Sequence, residues 1–437
     1  MAGCLAVVLA GICFGHSLFN MPAGPIPLTT DRVLWLLLLV QYVIWRRLGR
    51  AEPKPLGKAE YVLLAFVGVL IVSTFTHDWQ SDKALPASRL FFFYLMPLGL
   101  YWVARQSVIS ERAVLALFGC LTAFGLYLAV TGIAETQEAW WMVFPPYIGT
   151  ADSAEFLGRA RGPLLNPVGN GILLTACLGG TLMWWPRVGR AGKIAVAAAA
   201  LLLGAGLLAT LTRSVWIGAI LGLLTVLGLA LPRRWLPAAL VGLALMILLA
   251  TAVPWDELAA FKRDRDLTAE AAADSARLRP ILAKVAWEMF CDRPILGCGL
   301  GHYPTESVNY LADRSGELPL EKARSYVQHN VLLSLLTETG ILGAGLFAAL
   351  LGLWMVDAWR LWANRQSPFW GRQCGLVFLV LAVTYVTNGM FHDVSIILMV
   401  HMVLFLMAGL TAGLSAQIQR EPQTVAAPRE RPLAAAF

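Results

Sequence analysis

The chain has 437 residues, 58% of them hydrophobic and only 14% charged, with a formal net charge of +7 and a mean hydropathy of +0.66. A soluble protein of this length cannot bury that much apolar surface, which points to a polytopic helical membrane protein read as one bundle. The positive charge falls mostly in short loops between apolar runs, where it sets membrane orientation and is not a nucleic-acid footprint.

In chain order the apolar runs predict about twelve membrane helices, over 2–19, 31–46, 60–76, 88–104, 112–134, 167–185, 193–211, 214–231, 236–253, 330–356, 371–390 and 393–414. The first run has no small-residue cleavage site after it and reads as a membrane helix, not a cleaved signal. Alternate loops carry the basic residues: Arg46, Arg47, Arg50, Lys54 and Lys58; Arg105 and Arg112; Arg187, Arg190 and Lys193; Arg233 and Arg234; Arg360, Arg365 and Arg372; then the tail with Arg420, Arg429 and Arg431. The positive-inside rule makes that side cytoplasmic, with both termini inside. Two long loops lie on the other side, about 135–166, with Trp140, Trp141, Pro145 and Pro146, and about 254–329. Apolar spacing through 278–290 predicts an amphipathic helix in the second loop, and PILGCGLGHYP a glycine-rich turn, so an ordered outer cap is expected. The expected organisation is membrane helices over 1–253, the loop domain over 254–329, membrane helices over 330–418 and a disordered tail over 419–437.

His329 stands at the mouth of the run that begins SYVQHNVLLSLL. It reads as a polar residue of the helix start, with Asn330 or Gln328 as cap, or as a general base held neutral by the helix N-terminus. Arg213, between two apolar runs, either snorkels or binds an anion. Arg161 and Arg277 taken singly read as surface or salt-bridged residues, but three guanidiniums near one outer face suit a phosphate or diphosphate. Glu338 is an ionisable residue inside a span and faces away from His329; Gly340, Gly343 and Gly345 read as helix-packing residues. His392 and Asp393 form a polar patch in the last outer turn, while His77 and His302 fit no pattern. Cys4, Cys13, Cys120, Cys177 and Cys374 lie in apolar runs, whereas Cys291 and Cys298 flank an extramembrane segment with their pairing open. There is no Walker motif, HEXXH or metal-ligand spacing, so neither ATP, a metal nor another cofactor is expected. A transporter is the competing class, against which stands the lack of a repeat or of a discontinuous helix pair.

Four segments in order, RARGPLLNPVGNG, LTRSVWIG, ARLRPILAKVAWEMFCDRPILGCGLGHY and QHNVLLSLLTETGILG, together with the topology, resemble the bacterial O-antigen ligase and O-antigen polymerase family. The resemblance implies an all-α, GT-C-like membrane glycosyltransferase of the bacterial inner membrane. Its active site would face the periplasm and its donor would be a glycan on undecaprenyl diphosphate. It further implies His329 as catalytic base and Arg161, Arg213 and Arg277 as diphosphate-binding residues, with no metal; Asn330, Glu338, His392 and Asp393 are the candidate supporting residues read from the sequence itself. The expected acceptor is a lipid A–core sugar, as in a ligase; a polymerase using a second lipid-linked glycan is the alternative.

Overall fold

A computed structural model of the chain describes residues 1–14, 28–49, 53–81, 85–150, 156–230, 269–312, 319–324 and 326–420, with backbone alone for 269–277 and 420. Among the described residues the elements are helical and no strand is formed. In chain order the main helices are α1 (Ala2–Cys13), α2 (Thr30–Arg47), α3 (Lys58–Phe75), α4 (Pro86–Gln106), α5 (Glu111–Thr136), α6 (Pro167–Leu182) and α7 (Arg190–Ala209). They are followed by α8 (Arg213–Ala230), α9 (Ala269–Asp292), α10 (Val331–Ala363), α11 (Phe369–Gly389) and α12 (Leu398–Arg420).

Nine of the described helices are long and apolar enough to cross a membrane: α3 to α8 and α10 to α12, with α6 continuing to Arg187. Many such helices make this a membrane protein. The difference from twelve has three sources. The described part of the first run, α1, is only 12 residues long. α2 carries Asp31, Arg32, Arg46 and Arg47 at its ends, which lowers its hydropathy. The run expected at 236–253, like the tail beyond 420 and Arg233 and Arg234, lies outside the described residues.

The bundle is layered. α6, α11 and α12 are its centre, with 83%, 72% and 89% of their spans buried, against 22–44% for the other six. α12 packs along α4, α11 along α8 and α6, and α10 along α11 and α3. Gly409 and Gly413 let α12 press on the α4 backbone: a Cβ at either would lie within 2.5 Å of the carbonyl oxygens of Tyr101 and Arg105.

The basic loops meet at one end, as the sequence pattern requires. Lys54 Nζ donates to the carbonyls of Ser107 and Gly413 at 2.7 and 3.0 Å. Arg105 pairs with Glu60 at 2.6 Å and Arg187 with Glu111 at 3.3 Å. Gln417 donates to the Ile109 carbonyl.

At the opposite end the described part of the segment before α10 forms its own small core. Helix α9 turns Ile281, Leu282, Val285, Ala286 and Met289 onto Cys298, Tyr303, Leu311, Leu320 and Ala323, an apolar core separate from that of the bundle. Cys291 is exposed, Cys298 lies in this core, and both are free thiols.

Helix α10 is 33 residues long but broken at Gly340, where φ is 64° and ψ −166°. The part after the break, Ile341–Ala363, is about 34 Å long and alone matches the roughly 30 Å hydrocarbon thickness. The turn after α9 fills the break. Cys298 and Gly299 donate their amides to the carbonyls of Thr337 and Glu338 at 2.8 and 3.0 Å, and Ile341 donates to Pro294 at 2.8 Å. Ser73 of α3 joins in, accepting from the Leu300 amide and donating to the Glu338 carbonyl. The backbone groups freed by the break are thus paired within the chain, as an apolar surrounding demands. Gly340 is therefore a helix breaker, not the packing glycine expected from sequence, and Gly345 has open space beside its Cα. Gly297 is required as well, because a Cβ there would meet the Glu338 backbone at 2.5 Å.

Candidate active site

Asn330 is the N-cap of α10. Its Oδ1 accepts from the Leu333 amide at 3.0 Å, and its Nδ2 donates to the Met390 carbonyl at 2.9 Å. One side chain thus both starts the helix and fastens it to the turn between α11 and α12. His329, just before the cap, takes a left-handed conformation with φ 50°, a region where His is found more often than most residues. Its half-buried ring lies 6.4 Å from that of Tyr326 and 6.5 Å from that of His392, centroid to centroid. Burial first, and the nearby Arg279 charge second, push the His329 pKa below its ordinary value, with Asp393 opposing. The ring is therefore neutral and free to accept a proton at neutral pH.

Arg279 was not singled out from sequence. It sits at the edge of the buried face of α9, its guanidinium 5.7 Å from the centroid of the Phe391 ring. Burial and the charge of Arg213 lower its pKa, so two like charges share one place. Arg213, the first residue of α8, has its Nη2 buried without a hydrogen-bond partner. A buried donor without a partner beside a second guanidinium is costly unless an anion completes it. The side chain of Arg277 lies outside the described residues.

Arg161 is placed otherwise. It is fully buried, its Nε 2.5 Å from Glu135 Oε1, its Nη2 donating to the Ile148 carbonyl, and its own amide donating to Glu135 Oε2. This ion pair fastens the chain before α6 to the end of α5.

Glu338 does not meet His329, as its spacing implied; it meets Arg89, a residue sequence reading passed over. Arg89 Nη1 lies 2.8 Å from Glu338 Oε1, and Nη2 3.3 Å from Ser334 Oγ and 3.5 Å from Asp393 Oδ2. The Gly301 amide donates to the same Glu338 carboxylate, while Asp393 Oδ1 accepts from the amide and hydroxyl of Ser395. Arg89 thereby ties together α4, the first part of α10 and the turn that carries His392 and Asp393. A signal was available, since a charge within an apolar run is a functional or pairing residue by default.

The end remote from the basic loops thus brings together a neutral histidine, the guanidiniums of Arg213 and Arg279, and the buried Arg89–Glu338–Asp393 cluster, groups able to take up a proton and to hold an anion. Residues 198–348 match the family model described as O-antigen ligase. The match supports the O-antigen ligase and polymerase family for this chain, whose members act on lipid-linked glycans. It takes in Arg213, Arg279, His329 and Glu338, about a third of the chain, and leaves out Arg89, Arg161 and Asp393. No curated protein matches the chain.

Proposed function

We propose that the protein is a GT-C-like, inverting glycosyltransferase of the bacterial inner membrane that moves a glycan from undecaprenyl diphosphate to a lipid A–core sugar hydroxyl. The observation that carries this reading is the pairing of a depressed-pKa His329 with Arg213 and Arg279, one of which keeps a buried donor unmet.

Each residue then has a task. Arg213 and Arg279 hold the diphosphate and offset the charge that grows on it as the anomeric C–O bond breaks. His329 takes the proton from the acceptor hydroxyl while the hydroxyl oxygen forms the new bond to the anomeric carbon. The electron pair of the broken bond leaves with the diphosphate, and attack from the face opposite inverts the anomeric centre. Asp393 sits where its charge favours the imidazolium that forms. Arg161 acts at a distance, as a positioning residue for the α5–α6 end. The positive-inside rule, applied to the basic end, supports a periplasmic site.

The test uses the full-length protein in nanodiscs with an undecaprenyl-diphosphate glycan. Product on lipid A–core, and none from donor alone, is the expected result. Ladders from donor alone make the protein a polymerase, and no glycosidic bond under either condition overturns the enzyme reading in favour of transport.

A further inference from the structure

A second feature of the same end is not used by the chemistry above. A cavity of about 360 Å³ opens between the end of α1, the start of α2, the segment before α6 and the turn before α12. Among its lining residues are Asp31, Arg32, Tyr147, Asn166 and Ile397.

Asp31 is 3% exposed. Its Oδ1 accepts from the Thr29 hydroxyl at 2.5 Å, and its Oδ2 has no hydrogen-bond partner among the described residues. Asn166 spends its Oδ1 on capping α6, accepting from the amides of Val168 and Gly169 at 2.9 and 3.0 Å. Its Nδ2 donates to no described group. The Tyr147 hydroxyl is committed to the Pro163 carbonyl, which fixes the ring at the cavity.

The cavity therefore presents an acceptor with an unmet lone pair, an amide donor, an aromatic ring and one charge of each sign. An anion would face Asp31, and an apolar tail would strand the carboxylate at a cost. A neutral, hydroxyl-bearing ligand satisfies both open groups, and the volume lies within the range of small-molecule clefts. The turn Asp393–Ile397 separates this cavity from the candidate active site: Asp393 serves the His329 side, whereas Ile396, Ile397 and Leu398 line the cavity.

We infer that this cavity is a saccharide subsite, holding a neutral sugar unit next to the one that reacts. The inference rests on the glycan-transfer reading for the source of its ligand, but its test does not need turnover. Saturation-transfer NMR on the protein in nanodiscs, with lipid-free core oligosaccharide and lipid-free repeat-unit oligosaccharide as probes, reads binding directly. Asp31→Asn keeps the bond from Thr29, and Asn166→Asp keeps the α6 cap while removing the amide donor. Each should weaken binding of one probe about tenfold at an unchanged melting temperature, and hydroxyl-radical footprinting of the wild type should show Tyr147 protected by that probe. In transfer assays, a raised KM for lipid A–core with donor KM and kcat unchanged assigns the subsite to the acceptor; the converse assigns it to the donor glycan. Neither probe protecting Tyr147, or both variants binding as wild type does, overturns the inference. Binding without any transfer would instead leave the subsite standing and remove the proposed reaction.

Discussion

Replacing Gly340 by alanine should release the turn after α9 from its seat in α10. The new Cβ would lie 2.2 Å from the Ile295 carbonyl oxygen and 2.6 Å from the Leu296 nitrogen, both backbone atoms that cannot rotate aside. The conformation at φ 64° and ψ −166° is essentially reserved for glycine and costs another residue about 1–3 kcal/mol. Four backbone hydrogen bonds hold the turn in place, each worth about 0.5–1.5 kcal/mol net. The strain, with the backbone clash added to it, works against these bonds and weakens the seat by at least about 1–3 kcal/mol. The variant escapes by closing α10 into a continuous helix and expelling residues 294–301. Hydrogen exchange of peptides covering 294–301 reads this directly, and the amides of Cys298 and Gly299 should exchange about tenfold faster or more, roughly the factor for 1.4 kcal/mol. Gly345→Ala, in the same helix with nothing within 4 Å of its added Cβ, should leave exchange unchanged. Wild-type protection in Gly340→Ala would refute the account of the break.

Arg89→Ala leaves the carboxylates of Glu338 and Asp393 buried without their cation, so thermal unfolding in nanodiscs should show a loss of about 3–5 kcal/mol; Arg89→Ala with Glu338→Gln should recover part of it, and simple additivity would argue against the clamp. Arg213→Gln should weaken donor binding about tenfold or more without lowering the melting temperature, whereas Arg161→Gln should chiefly lower the melting temperature, because it opens a sealed ion pair. The pH–rate profile at saturating donor should lose activity on the acid side as His329 protonates, at a pH below the ordinary histidine value. Arg279→Gln removes a charge that lowers the His329 pKa, so the acid limb should move to higher pH; Asp393→Asn should move it lower. A limb that stays in place in both variants would separate His329 from the observed titration.

Much of this architecture was legible because apolar run length and loop charge are strong signals. The joining of the basic loops at one end follows from the alternation of Lys54, Arg105 and Arg187, and α9 follows from the spacing of Leu278 to Phe290. The count of spans was less legible where charge sits at both ends of a run, as in α2. The site was half legible. His329 and Arg213 stand out as titratable or charged groups at helix starts. Arg279 was not legible because only the packing of Ile281, Leu282 and Val285 shows that it borders the site; the side chain of Arg277 lies outside the described residues. Arg89 stayed hidden because its partners, Glu338 and Asp393, are more than 240 residues away in sequence. The role of Gly340 was misread for a related reason, since a glycine that breaks a helix and one that packs a helix look alike until the turn that fills the gap is known.

The most direct measurement compares wild type with His329→Ala in nanodiscs, reading binding of the undecaprenyl-diphosphate glycan and its transfer to lipid A–core in the same preparation. Donor bound as in wild type, with transfer reduced at least about 100-fold, is the expected result. Transfer at the wild-type rate in His329→Ala would contradict the account, since His329 would then not be the group that takes the acceptor proton.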